Sequence, residues 1–329
     1  MINKLYEKYI KKNIIVIIIY IILILSIIIP LPYFIDMPGG TTDINNKIEV
    51  ENGYKSKGMF GFAYVSSLRA TPFSYIVSLF KKDWELIKLN EVKFDNETIR
   101  DAGFRDNIFM EESFDNASIV AFSKASKELT ITKNNLYVTY IDKEAKTNLK
   151  IGDKIISVNN VKVNSIDDIR KNIQENKKVK FKVERNSKIY EKTATIVDID
   201  GIKSIGIMVI NDIEFETDPK ITFKKDANES GPSGGLMLSL TIYNNLVKED
   251  ITKGNKIIGT GTIDKNGIVG DIGGVSHKIL GAEEDDADIF FVPEGNYEEA
   301  NKTIKEHNLD IKLVKISTFD EALDYLKSL

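Results

Sequence analysis

A serine on a glycine-framed turn and a lysine 45 residues further on are the residues of this chain best suited to chemistry. Ser233 stands in the run Gly231–Pro232–Ser233–Gly234–Gly235, and Lys278 closes Gly273–Gly274–Val275–Ser276–His277–Lys278. A serine hydroxyl is a weak nucleophile until a base takes its proton. Lysine is a base only when neutral, and its ordinary pKa is roughly 10.4. Burial disfavours the ammonium and lowers that value, and Ile279 and Leu280 predict a helix that packs inward beside Lys278. Pro232 fixes the backbone entering the turn, while Gly234 and Gly235 keep side chains clear of the serine. The N–H groups at the start of the following helix would face an oxyanion, as acyl transfer requires. The same composition also makes ordinary turns, and most lysines are solvated. Spacing alone does not bring the two side chains together.

Few other catalytic options compete. The 329 residues contain no cysteine and two histidines, which excludes thiol catalysis, disulfides and thiolate metal sites. On a helix the side chain of His277 points away from that of Lys278, and His307 reads as solvated, so a Ser–His–Asp triad has little support. The acidic run Glu283, Glu284, Asp285, Asp286 and Asp288 lacks a calcium-loop spacing and reads as a solvated helix end, so no metal is assigned. A net charge of -4 argues against nucleic acid as a partner.

Stepping outward, Ile14 to Ile29 is almost unbroken Ile, Val and Leu, with Lys4, Lys8, Lys11 and Lys12 before it. Sixteen residues are short for a span, which usually needs roughly 20, but flanking apolar residues extend the run to 13–31. The expectation is a transmembrane helix with a basic cytoplasmic N-terminus, 1–12, and the remainder extracytoplasmic. This would be a single-pass protein of the cell membrane. A linker and strand-like stretch, Met59 to Leu68, follow, then a helical pattern from about Met110 to Lys127. Residues 128–200 read as a compact block: a strand at Leu136–Ile141, a turn and strand over Leu149–Asn160, and a helix capped by Ser165 with Asp168 as its box partner. A hairpin with its turn at Arg185–Lys188 ends it. Beyond Gly201 short strands precede the Ser233 turn. The Ser233 helix then leads into strands alternating with helices: Lys256–Ile263, the Lys278 helix, Ile289–Val292, a helix from Tyr297, Ile311–Ile316 and a helix from Phe319.

Taken together, several segments resemble the proteolytic domain of Lon-type proteases. They are Gly231–Pro232–Ser233, then Gly259–Thr260–Gly261–Thr262–Ile263 with Gly267, Val269, Gly273, Gly274, Lys278 and Ala282, then Val292–Pro293–Glu294–Gly295–Asn296, and upstream Met110–Glu111–Glu112–Ser113. The resemblance implies a Ser–Lys dyad, Ser233 as nucleophile and Lys278 as general base, supported by Pro232 and Gly234. Thr260 and Thr262 are candidates for orienting Lys278, with strand-surface threonines as the alternative. Two positions depart from the pattern: Ser230, where Lon enzymes usually carry Asp and anchored relatives Gly, and Gly234, where Ala is usual.

The block 128–200 resembles a PDZ domain, chiefly through Leu149–Asn160. A PDZ domain takes a peptide as an added strand. Here that strand would lie beside Asn135, Leu136, Tyr137 and Val138, against the helix from Ser165; the alternative is a contact domain without a peptide ligand. The expected fold is α+β: an N-terminal transmembrane helix and a Lon-type proteolytic domain, 32–127 and 201–329, interrupted by the PDZ-like domain. The layout resembles the bacterial membrane-anchored, PDZ-containing Lon-type proteases. It implies an ATP-independent serine endopeptidase that cuts exported proteins or peptides, without a cofactor and with homo-oligomers open. No phosphate-loop motif is present in the sequence. The alternatives are an inactive binding or regulatory protein with the same fold, and a small-molecule kinase, against which the expected membrane helix, the PDZ-like block and Lys278 speak.

Overall fold

The computed structural model describes residues 13–94, 96–173, 178–227 and 229–329. The basic segment 1–12 lies outside them. The chain divides into two units, one of residues 1–38 and 65–92, the other of 39–64 and 93–329. Strands β1 (Tyr33–Asp43) and β2 (Met59–Arg69) contribute residues to both.

In the smaller unit, α1 (Ile14–Ile28) has 15 residues. It stops at Ile29, the residue before Pro30, where the proline ring disfavours helical backbone. Fifteen residues at 1.5 Å each reach roughly 22 Å, short of the ~30 Å hydrocarbon core. Among the described residues no helix is long and apolar enough to cross a membrane. The expected transmembrane helix over 13–31 is therefore corrected, and the single-pass, extracytoplasmic placement that rested on it falls with it. Apolar composition was legible; the helical length was overread by extending it across Pro30. The rest of this unit holds α2 (Pro72–Ser78), which opens with a capping box between Thr71 and Ser74, and β3 (Glu85–Lys88), antiparallel to Tyr33–Asp36.

The larger unit is a mixed α/β structure with three hydrophobic clusters. Its central sheet runs β13–β12–β9–β2, with β9 (Lys256–Gly259), β12 (Ile289–Pro293) and β13 (Lys312–Ile316) all parallel and Met59–Phe62 of β2 parallel to β9. These strands are apolar on both faces because both faces are covered. Ile257, Ile289 and Phe291 point into a cluster with Phe60, Leu236 and Phe319. Ile258, Phe290 and Val292 point the other way, against Val275, Ile279 and Ala300. Three helices supply the first cluster: α3 (Ile99–Lys124), α5 (Gly235–Leu246) and α8 (Phe319–Lys327). The second is covered by α6 (Val275–Glu284) and α7 (Tyr297–His307).

The third cluster, with Leu136, Val138, Ile155, Val179, Phe181 and Val183, lies in the 128–200 block and takes in Ile205 beyond it. Its strands are β4 (Glu128–Ile141), β5 (Lys154–Val158), β6 (Lys178–Arg185) and β7 (Lys188–Thr195), with α4 (Ile166–Asn172). Ser165 caps α4, its hydroxyl accepting from the Asp168 N–H at 3.1 Å. The β6–β7 turn is made by Asn186 and Ser187, both at positive φ, the primed geometry that tight hairpins favour.

The block does not end at 200. A strand of 12 residues, β8 (Ile207–Asp218), pairs antiparallel with the whole of β4, from Ile207↔Ile141 to Asp218↔Glu128. On its other edge β4 pairs with β5 through Leu136↔Ile155 and Tyr137↔Lys154, and the Val138 N–H donates to Asp153 O. Leu136–Val138 is thus bonded along both edges, and the peptide expected to add there has no free edge to join. Asn211, Asp212 and Glu214 interrupt the apolar run of β8, so the sequence suggests only short strands here, and no local signal says which strand a polar-faced strand will pair with.

Candidate active site

Ser233 is placed by its main chain. Gly231 has φ +87, a conformation that suits glycine, and its N–H donates to Asp106 O on α3. Pro232 O accepts from the Ser113 hydroxyl at 3.0 Å and from the Gly235 N–H at 3.3 Å. Ser233 O accepts from the Gly261 N–H at 2.7 Å and from the Thr260 hydroxyl at 3.1 Å. The loop before the turn is held by Lys47, whose ammonium contacts Asp226 at 2.8 Å and Glu229 at 2.9 Å.

Helix α5 begins at Gly235 with Gly234 as its cap residue. Two of the N–H groups expected to face an oxyanion are already engaged, Gly235 with Pro232 O and Leu236 with Gly261 O. The N–H groups of Ser233 and Gly234 find no acceptor among the described residues, so these two are left to meet a ligand. Gly235 has no room for a side chain: an added Cβ would lie 2.8 Å from Ser113 Oγ and 2.9 Å from Ile263 N. At Gly234 an added Cβ would sit 3.3 Å from the Phe62 ring, so the departure from alanine there matches a close aromatic neighbour.

Lys278 lies on the second turn of α6, buried to 5% exposure. Gly274, at φ +67, turns the chain into that helix. The Lys278 Nζ donates to Thr260 Oγ1 at 3.1 Å, and Thr260 hands its own proton to Ser233 O. Among the described residues no carboxylate raises its affinity for a proton, and burial pulls the pKa from 10.5 down to about 8. The amine therefore gives up its proton as pH rises through about 8, well below the ordinary lysine range.

The geometry brings together Lys278, Thr260 and the backbone of Ser233, and it separates Thr262 from them. Thr262 lies in the hairpin of β10 (Thr262–Ile263) and β11 (Val269–Gly270) and lines a cavity on the α3 side. The Ser233 hydroxyl makes no hydrogen bond among the described residues. Asn135, named for peptide binding, is buried, and its amide donates toward Asp212 and Glu214 of β8. The acidic run is only partly solvated: Asp285 accepts from the Thr41 N–H and hydroxyl at 2.8 Å, and Asp288 from the Lys256 N–H at 2.7 Å.

Sequence reasoning did not find Ser113 as a brace for the turn, although it quoted the segment. A serine in a helix gives no local sign of a main-chain acceptor 119 residues away. Nor did it find Asp115, whose carboxyl burial raises to about 7 despite the N–H that Ile213 donates to it.

Residues 219–327 match the Lon protease (S16) C-terminal proteolytic domain. The chain is also similar to the Lon protease of Metamycoplasma arthritidis (strain 158L3-1), 31% identical over 123 residues, which is 36% of this chain and 14% of that protein. To Lon protease 2 of Bacillus subtilis (strain 168) it is 33% identical over 107 residues, 32% of this chain and 18% of that protein. The chain thus spans under a fifth of the length of either relative. Residues 219–327, which hold Ser233, Thr260 and Lys278, are thus similar to the proteolytic domain of Lon proteases.

Proposed function

We propose that this chain is a serine endopeptidase acting on peptides or proteins, with Ser233 as nucleophile and Lys278 as general base. The observation that carries the reading is the buried Lys278 amine, tied through Thr260 to the backbone of Ser233 and unaccompanied by a carboxylate that would keep it charged. Neutral Lys278 takes the Ser233 proton as Oγ bonds to the scissile carbonyl carbon. The Ser233 and Gly234 N–H groups receive the oxyanion; such donors are typically worth about 10²–10³ in rate each. The C–N bond breaks as Lys278 returns the proton to the leaving amine. Water, deprotonated in turn by Lys278, then adds to the acyl carbon, the ester bond to Ser233 Oγ breaks, and Lys278 returns the proton to that oxygen. Nothing in this chemistry consumes ATP. The block 128–218 serves as a PDZ-like contact domain whose β4 edge is closed by the chain's own β8.

One observation favours the rival reading of an inactive binding protein: the Ser233 hydroxyl is not hydrogen-bonded to Lys278. Looser pairing is common in free enzymes and tightens with substrate. The test is mass spectrometry of an unbiased peptide pool incubated with the full chain, beside Ser233→Ala and Lys278→Ala. Cuts made by the wild type and lost in both variants support the dyad. Cuts that survive both, or no cuts with any form, count against it.

A further inference from the structure

We propose that the cavity beside Ser233 is a subsite for a basic substrate side chain, arginine or lysine, with Glu112 as the residue that selects it. The proposal rests on the endopeptidase reading and adds the class of substrate.

The cavity holds about 360 Å³, at the small end of the range for ligand pockets. Its wall reaches the residue before Ser233: Pro232 forms part of it, and Ser113, also in the wall, is bonded to Pro232 O. Thr262, two residues past the Lys278 partner Thr260, lies on the opposite strand wall. A peptide bond held over Ser233 therefore has a neighbouring side chain within reach of this space.

The charges of the lining have one sign. Glu112 and Asp264 are the described lining residues that ionise, and no lysine or arginine among the described residues lines the cavity. The Asp264 carboxylate is engaged with the N–H groups of Asn266 and Ile268. Glu112, half-buried on α3, has no hydrogen-bond or ion partner among the described residues. Burial lifts its carboxyl above the usual range, with no cation nearby to hold it down. A partly buried carboxylate without a partner is costly, and an entering cation would relieve that cost. The walls fit the rest of such a guest: Phe109, Ile263 and Ile268 form an apolar sleeve for a methylene stem that carries its charge at the tip.

The experiment uses peptides of otherwise neutral sequence carrying one arginine, paired with peptides carrying citrulline, its uncharged isostere, at the same position. Cleavage is mapped with the wild-type chain. Binding is measured by fluorescence anisotropy on Ser233→Ala, which cannot turn the peptide over. The expected result is cleavage at a fixed distance from arginine and a preference for arginine over citrulline of roughly 10-fold or more, the range of a charge-assisted contact. Glu112→Gln should bring that ratio close to one in both assays. Glu111→Gln, altering the adjacent carboxylate that contacts Lys225 at 3.4 Å, should leave the ratio in place. Serine-dependent cutting with no arginine preference, or a preference that survives Glu112→Gln, overturns the subsite and leaves the endopeptidase reading standing. No serine-dependent cutting overturns the endopeptidase reading. Equal binding of both peptides by Ser233→Ala then overturns the subsite as well.

Discussion

The proposed site around Ser233 and the block read as 128–200 both rest on short glycine-bearing motifs, and the fold surrounds them differently. Around Ser233, segments from four distant parts of the chain converge: Ser113 on α3, the turn itself, Thr260 after β9 and Lys278 on α6. In the block, the strand named for peptide docking is bonded on one edge by β5 and on the other by β8. A nucleophile turn is defined by local backbone needs, such as the positive φ at Gly231 and the absence of space at Gly235. A docking edge is defined by what does not pair with it, which is a property of the whole sheet. Local motifs carry the first kind of information and not the second.

The largest effect would come from the dyad. Ser233→Ala and Lys278→Ala should each lower peptide cleavage by about 10³-fold or more, and the double variant should lose little beyond either single one, because the two act as a unit. Additive losses measured on one fluorogenic peptide would separate the residues and weaken the contrast between the two regions. Next comes Gly235→Ala. The new Cβ would meet both the Ser113 hydroxyl and the Ile263 backbone, so a loss of roughly 2–3 kcal/mol in urea unfolding is expected, with cleavage reduced beside it.

Lys278→Met tests the burial argument in the opposite direction. The fold lowers the lysine pKa from 10.5 to about 8, so below about pH 8 the fold must hold a charge it disfavours. Removing that charge should stabilise the protein by roughly 1–3 kcal/mol at pH 7, with the gain fading between pH 8 and 10.5. In the wild type, cleavage should rise as pH climbs through about 8 and then level off, since the neutral amine is the base. A rate that is flat from pH 6 to 9 would remove Lys278 from that role.

A smaller effect marks the seam between the two regions, where Asp115 on α3 accepts the Ile213 N–H of β8 at 3.0 Å. Its folded pKa, about 7, lies above the unfolded 3.8, so the stability it contributes is full below about pH 4 and is lost as pH rises through 7. Asp115→Asn keeps an acceptor for that N–H without the charge. It should stabilise the protein by roughly 1–2 kcal/mol above pH 7 and do little at pH 4, as thermal melts at the two pH values would record. The least effect is expected at the block's former docking strand. Hydrogen exchange at Leu136 and Val138 should be slow and unchanged by a panel of C-terminal peptides. Saturable protection by one of them would mean that β8 gives way, and would restore the docking reading.

Much of the larger unit was legible. The 3.6-residue period placed α5 from Leu236, α7 from Tyr297 and α8 from Phe319, and the apolar runs placed β9 and β12. Errors came where a local pattern had to be given a length. The run Ile14–Ile29 was extended past Pro30 into a span that α1 does not make, and α3 begins at Ile99, well before the Met110 where its pattern was first recognised. In the same way β8 runs on to Asp218, because Asn211 donates to Asn134 of β4, and Asp212 and Glu214 accept from Asn135, instead of ending the strand.

Sequence by itself named the proposed pair and its supports: Ser233, Lys278, Thr260 and the glycines that turn the chain around them. These are choices of residue type, set by the chemistry of a nucleophile, a base and a positive φ. Tertiary structure decided which partners they meet. It buried Lys278 away from any carboxylate and so lowered its pKa, and it engaged the Gly235 and Leu236 N–H groups while leaving those of Ser233 and Gly234 open. It also set an unpartnered Glu112 in the cavity wall and closed the β4 edge with β8. Dielectric surroundings and hydrogen-bond saturation are sums over neighbours distant in the chain, and these only the fold assembles.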